Sequence, residues 1–287
     1  MKLRAIASAI GLTFLAATAN AVPNTANVVF IVDVSGSMAG EIAFLGDIID
    51  DLDTGLANAG VGTTTYGVVS FGGVSSGMPF DRSGGLTDLA TAQSALALPA
   101  SGGFEDGYEA IQFARDVYAL DGEAINFILV TDEDRDIRAS DTFADVRDDL
   151  IADGILLNAV LNASLRDSDS NQAIGIDSDG AAYVADGAGG FTTAGGGNAI
   201  GGFGTTIADY VDLALATGGA AWDLNLLRAG GLLAQSFAEA FLDIKIQEII
   251  NVEPPEPPTA GVPEPGTLAM LALGLLGMRA ARRRRFA

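Results

Sequence analysis

The chemistry available to this sequence is carried by oxygen. Within the stretch Asn27 to Met38 (NVVFIVDVSGSM), Asp33, Ser35 and Ser37 place one carboxylate and two hydroxyls at alternate positions. Such hard donors suit Mg²⁺ or Mn²⁺, which favour oxygen ligands in an octahedral shell that waters can complete. The other use of an Asp-Ser-Gly-Ser run is a turn whose side chains cap a following helix. The 287 residues include no cysteine and no histidine. That excludes disulfide frameworks, zinc thiolate sites, serine-histidine or cysteine nucleophiles, and haem held by histidine.

The elements around this stretch say how it would be positioned. Val28 to Val32 is apolar and β-branched without polar alternation, the pattern of a strand buried on both faces of a parallel sheet. The Asp-Ser-Gly-Ser run then falls at the carboxyl end of that strand, where open α/β sheets hold their ligands. Ile42, Leu45, Ile48, Ile49, Leu52 and Leu56 recur at helical spacing within Ala39 to Ala59. Strands are expected at Thr63 to Phe71, Ala124 to Val130 and Ile155 to Leu161, with an edge strand around Met78 to Phe80. Helices are expected over Leu86 to Leu96, after Ser101-Gly102-Gly103 with Ala110, Ile111, Ala114 and Val117 inward, and from a Ser140 cap to Ile151. Ser164 to Gly204 reads as an acidic, Gly- and Ser-rich surface insertion with one short strand near Ala181 to Ala185. A helix over Thr205 to Ala216, a last strand from Ala220 to Leu227 and a closing helix from Leu232 to Ile250 complete the pattern. This alternation predicts an α/β fold: a doubly wound, mostly parallel central sheet with helices on both faces.

The hydrophobic strand followed by D-x-S-x-S resembles the metal-ion-dependent adhesion site (MIDAS) of von Willebrand factor A (VWA) domains, a Rossmann-like fold. Asp33, Ser35 and Ser37 match that loop, and the resemblance covers residues 22–250. It implies further ligands from two other loops. One is usually a Thr five residues ahead of an Ala-Leu or Ala-Ile pair; counting back from Ala110-Ile111 gives Glu105 instead, a substitution also found in integrin β-subunit domains. The other is Asp132, which ends ILVTD and fits the position after the fourth strand. Asp106 could compete with Glu105, Glu109 is expected to face solvent, and Glu133, Asp134 and Asp136 read as a solvated charge run. A second cation site for Ca²⁺ is conceivable at Asp167, Asp169, Asn171, Asp177 and Asp179. That stretch lacks the Gly and Glu of a calcium loop, so a flexible acidic loop is the preferred reading.

Charge narrows the partners. All 37 acidic residues lie between the basic ends, where Lys2, Arg4, Arg279 and Arg282 to Arg285 hold seven of the 15 bases. So anionic a middle offers no basic patch for nucleic acid. It favours solubility and cation binding.

The two ends read as addresses. Residues 1–21 combine Lys2 and Arg4, the apolar run Ala5 to Ala17 and Ala19-Asn20-Ala21, the three-part pattern of a secretory signal peptide. Residues 251–261 form a Pro-rich spacer. Residues 262–287 contain Pro263-Glu264-Pro265, an uncharged stretch from Gly266 to Met278 and terminal arginines. This order resembles the PEP-CTERM sorting signal of Gram-negative bacteria, which implies membrane insertion through the carboxyl-terminal segment, processing by an exosortase, and delivery to the cell surface or extracellular matrix. A plain membrane anchor with its arginines inside is the alternative.

The expected function is a non-catalytic binding module that uses Mg²⁺ or Mn²⁺ to engage an acidic group of a protein or an anionic polysaccharide. A structural biofilm or matrix protein whose metal only stabilises the fold is the alternative. A metal-dependent hydrolase is a third possibility, but no general acid or base stands out. The mature protein is expected to lack both ends, and the intact mass of native material checks this: a main species retaining Met1 or the Arg282 to Arg285 run would contradict it.

Overall fold

The computed structural model describes residues 22–39, 41–73 and 77–251; residues 1–21, expected to be a signal peptide, most of the spacer and the sorting segment lie outside the described residues. The strands are β1 (Thr25–Asp33), β2 (Thr63–Phe71), β3 (Phe80–Asp81), β4 (Ala124–Thr131), β5 (Ile155–Leu161), β6 (Ala163–Arg166), β7 (Gln172–Ala173), β8 (Gly175–Asp177), β9 (Ala181–Ala185), β10 (Phe191–Gly195), β11 (Asn198–Gly202) and β12 (Ala220–Asp223). The α-helices are α1 (Glu41–Ala59), α2 (Leu89–Ala95), α3 (Gly107–Val117), α4 (Phe143–Ala152), α5 (Asp212–Ala216), α6 (Leu224–Arg228) and α7 (Gly231–Ile250). The main sheet runs β10-β9-β8-β12-β5-β4-β1-β2-β3, and β11-β6-β7 form a small second sheet. Neighbours from β12 through β2 are parallel, whereas β3 and the β8-β9-β10 extension are antiparallel. This is the doubly wound, mostly parallel α/β architecture that the alternation of elements predicts.

The unbroken apolar runs are unbroken because both faces are covered. Along β1, Val28, Phe30 and Val32 join a core with α1, α6 and α7, while Val29 and Ile31 join a second core with α3, α4 and α5. The six periodic residues of α1 are all buried. α1 and α7 approach so closely that a Cβ built on Gly55 would stand 2.2 Å from Ile246 Cδ1. α4 starts at a capping box in which Thr142 and Asp145 satisfy each other's backbone N–H groups.

Three regions depart from the expected pattern. The last strand stops at Asp223, because the Asp223 carboxylate accepts from the Asn225 N–H and turns the chain into α6. Thr205 to Ala216 is divided into a π-helical turn, Ile207–Val211, and α5. Ser164 to Gly204 contributes to six strands, not one, and three of them extend the main sheet beyond β12. These strands are too short for periodicity to register. Their hairpins turn on aspartates: Asp167, Asp177 and Asp186 each accept hydrogen bonds from the N–H groups two and four residues ahead.

Phe127 on β4 is fully buried, so Phe127→Ala should lower unfolding free energy by about 3–5 kcal/mol in urea melts. Loss of the exposed cap in Thr142→Ala should cost only about 1 kcal/mol.

Candidate functional site

Three loops at the carboxyl ends of β1, β2 and β4 and the loop leading into α3 meet around Asp33. Its side chain is buried: Oδ1 accepts from the Ser35 N–H at 2.7 Å and Oδ2 from the Thr131 hydroxyl at 3.0 Å. The following 3-10 turn, Gly36–Met38, is anchored by buried Met38 and holds Ser35 Oγ and Ser37 Oγ 2.9 Å apart. Ser37 donates to Asp132 Oδ1 at 2.9 Å, which ties the first loop to the end of β4. Glu105 is buried, and its backbone is laced to Asp136: the Glu105 N–H donates to Asp136 Oδ2 and the Asp136 N–H to the Glu105 carbonyl. Gly72, at φ +76°, closes the fourth side. A Cβ there would stand 2.4 Å from Asp33 Oδ1 and 3.2 Å from Glu105 Cγ, so the absence of a side chain lets both acids share one cradle.

The site concentrates dehydrated negative charge. Burial, with a smaller push from Asp132, raises Asp33 to about 6 against the lowering hydrogen bonds of Ser35 and Thr131. Burial also raises Glu105, to about 8, reinforced by the charges of Asp33, Glu133 and Asp136. Two carboxyl groups kept from water in one cradle resist ionising together, and a counter-cation would favour the charged form of both.

Arg228, at the end of α6, supplies a positive charge at the margin. Its Nε pairs with Glu41 at 2.5 Å and its Nη2 donates to Asp132 Oδ2 at 2.7 Å. Each oxygen of Asp132 therefore has a partner, Ser37 inside and Arg228 outside. Among the described residues no group of three or more acidic side chains is placed to hold a metal ion.

The structure thus brings Asp33, Ser35, Ser37, Glu105 and Asp132 together. Asp106 points away: it caps α3 and pairs with Arg135 at 2.7 Å. Glu109 is only partly exposed and pairs with Arg138 at 2.7 Å. The expected solvated run does structural duty instead, since Asp136 binds Glu105 and Asp134 accepts from the Thr205 N–H. The acids from Asp167 to Asp179 are divided between two hairpin turns. Asp167 accepts from Asp169, Asn171 N–H and the Asn171 amide, and Asp177 from Asp179, Ala181 and the Tyr183 hydroxyl. Gly72 and Arg228 are the parts that sequence reasoning misses. For Arg228 a faint signal exists, as one of few bases in an acidic stretch.

A family model described as the PEP-CTERM protein-sorting motif matches residues 261–285. The chain carries this motif, which marks an exported protein sorted to the cell envelope. No curated protein matches the chain. Solved structures that match include proximal thread matrix protein 1 from the mussel byssus with a zinc-occupied MIDAS motif, at 19% identity over 48% of this chain and 36% of that one, with a TM-score of 0.38. A von Willebrand factor type A structure from Catenulispora acidiphila matches at 19% identity over 51% of this chain and 37% of that one, TM-score 0.36. An aerotolerance-related membrane protein from Bacteroides fragilis matches at 17% identity over 78% of this chain and 98% of that one, TM-score 0.45. The chain spans 36 to 37% of the length of the byssus protein structures. Among the described residues no helix is long and apolar enough to cross a membrane.

Asp106 gives a test that separates support from site. Burial pushes its carboxyl up, but the Arg135 guanidinium and the N–H groups of Arg138 and Ala139 outweigh this and hold it below the usual range. A depressed carboxyl stabilises the fold above its unfolded value of about 4 and loses that contribution as pH falls through the folded value. Asp106→Ala, which strands the buried Arg135 charge, should cost about 3–5 kcal/mol at neutral pH. Its stability should also fall less than the wild type's on acidification below about pH 4, as read by denaturant melts.

Proposed function

We propose that this protein is an exported VWA module, associated with the cell surface or extracellular matrix, that binds an acidic group of a protein or polysaccharide through a divalent-metal adhesion site. The domain would run from residue 22 to 250, with the 164–204 extension as part of it. One observation carries the reading: buried Asp33 and Glu105 face each other across Gly72, beside the hydroxyls of Ser35 and Ser37. The donor set is all oxygen and fits Mg²⁺ or Mn²⁺. Asp33 and Glu105 would supply charge, Ser35 and Ser37 neutral donors, and Asp132, already engaged by Ser37 and Arg228, would orient the serine loop.

A bound cation would supply a Lewis-acidic contact for a partner's carboxylate. The chain's own residues have separate tasks. Thr131 and the Ser35 N–H keep Asp33 turned inward, Asp136 holds the Glu105 backbone, and Arg228 offsets part of the negative field that would repel an acidic partner. A second carboxylate at position 105 makes the metal less electrophilic than a threonine there would. The reading is non-catalytic: the elevated Glu105 is accounted for by its burial and then by its acidic neighbours, and histidine is absent from the chain.

The same lacing favours a second reading, in which the ion only stabilises the loops of a structural matrix protein. Binding to the folded state alone should add about 2.7 kcal/mol of stability at one hundred times the dissociation constant. Thermal melts with Mg²⁺, Mn²⁺ or EDTA should show that gain in the wild type and its loss in Asp33→Ala; an equal metal-induced shift in both would place the ion elsewhere. Capture of surface material by the wild type in Mg²⁺ but not in EDTA supports the adhesion reading, and EDTA-insensitive capture supports the structural one. Glu105→Thr should keep metal binding and strengthen capture.

A further inference from the structure

Apart from Lys2, the chain has a single lysine, Lys245, and its side chain is fully buried on α7. Its Nζ hydrogen-bonds Glu248 Oε2, one turn along the same helix, and lies about 6 Å from the ring centroids of Trp222 and Phe241. The same Oε2 accepts from Asn158 Nδ2 at 2.9 Å and from Asn126 Nδ2 at 3.4 Å. Both asparagines are fully buried on the central strands β5 and β4. One carboxylate oxygen thus touches both a buried amine and the amide nitrogen of a buried carboxamide. A surplus buried lysine is costly if it serves only as half of an ion pair.

We propose that Lys245 and Asn158 join through an intramolecular isopeptide bond, with Glu248 as the proton-transfer catalyst. Lys245 Nζ forms a bond to Asn158 Cγ, the Cγ–Nδ2 bond breaks, and Nδ2 leaves as ammonia. Glu248 takes a proton from Nζ and returns one to Nδ2, so it ends as it began and the exchange of one amide for another needs no oxidant or co-reactant.

Three features select this pair. Burial works against the ammonium form of Lys245, opposed by the charge of Glu248, and so favours the nucleophilic amine. Asn158 Oδ1 accepts from the Ala220 backbone N–H at 3.0 Å, a fixed donor aimed at the oxygen that gains charge when the amine attacks. Asn158 Nδ2 also donates to Asn126 Oδ1 at 3.2 Å, which fixes the oxygen and nitrogen ends of the carboxamide and leaves Asn126 as its orienting neighbour. Trp222 and Phe241, both buried, cover the amine with apolar rings on their side. Glu248 also lines a cavity of about 520 Å³ together with Leu156 and Gln247, a route by which ammonia can leave.

The test is peptide mapping of the denatured full chain after trypsin. A linked protein should resist cleavage at Lys245 and release a branched peptide, residues 148–166 joined to the segment beginning at Ala229, lighter than the two parts by one ammonia. Glu248→Gln preserves side-chain size and hydrogen bonding but cannot shuttle the proton, so its Lys245 should be cut normally. Wild-type protein cut at Lys245 with an unmodified 148–166 peptide overturns the proposal, as does a link to Asn126 or an undiminished link in Glu248→Gln. The wild-type map decides the matter even if the variant fails to fold.

Discussion

Two carboxylates are held out of water at the carboxyl ends of the central strands, and much of the surrounding structure serves to keep them there. Burying Asp33 and Glu105 side by side costs free energy unless donors or a cation compensate. The compensation seen in the chain is partial: Thr131 and the Ser35 N–H serve Asp33, whereas around Glu105 further acids add to the effect of its burial. Glycine at position 72 is a condition of the arrangement, since any side chain there would displace Asp33. The mutual bonds of Glu105 and Asp136 and the link from Ser37 to Asp132 keep the loops from splaying under this repulsion.

The central layer was legible because burial on both faces leaves a plain trace. β2 and β5 have the bounds expected from their apolar runs, and β1 extends its run through Thr25 and Asp33. The hairpin extension was not legible in the same way, as strands of two to five residues rich in Gly and Ala have no period to read. Its aspartates were visible, but their carboxylates close turns by accepting backbone N–H groups. An aspartate that folds a turn and one that awaits a cation look alike in sequence.

The candidate site divides in the same manner. Asp33, Ser35 and Ser37 sit within five residues, and Asp132 follows a strand that announces itself. Glu105 and Asp106 are neighbours whose separation of roles depends on Arg135 and Arg138, some thirty positions ahead. Arg228 meets Asp132 across 96 residues, through a helix that interrupts what reads as a continuous strand. Contacts of that separation follow from the winding order of the sheet, and no local pattern encodes them.

The polarity of the sheet has a mechanical consequence. β1 enters at the amino ends of the parallel strands, where Thr25 pairs with Thr63, and α7 finishes beside the starts of β5 and β12, where Asn251 shares a cavity with Gly154 and Gly218. The cradle at Asp33 stands at the other end. A pull between that cradle and Asn251 therefore runs along the strands. Backbone hydrogen bonds between strands lie across this direction, so they bear the force together in shear and do not peel one at a time. The direction in which the sheet is strung thus decides how a load between the Asp33 loop and the end of α7 would be shared among its strands.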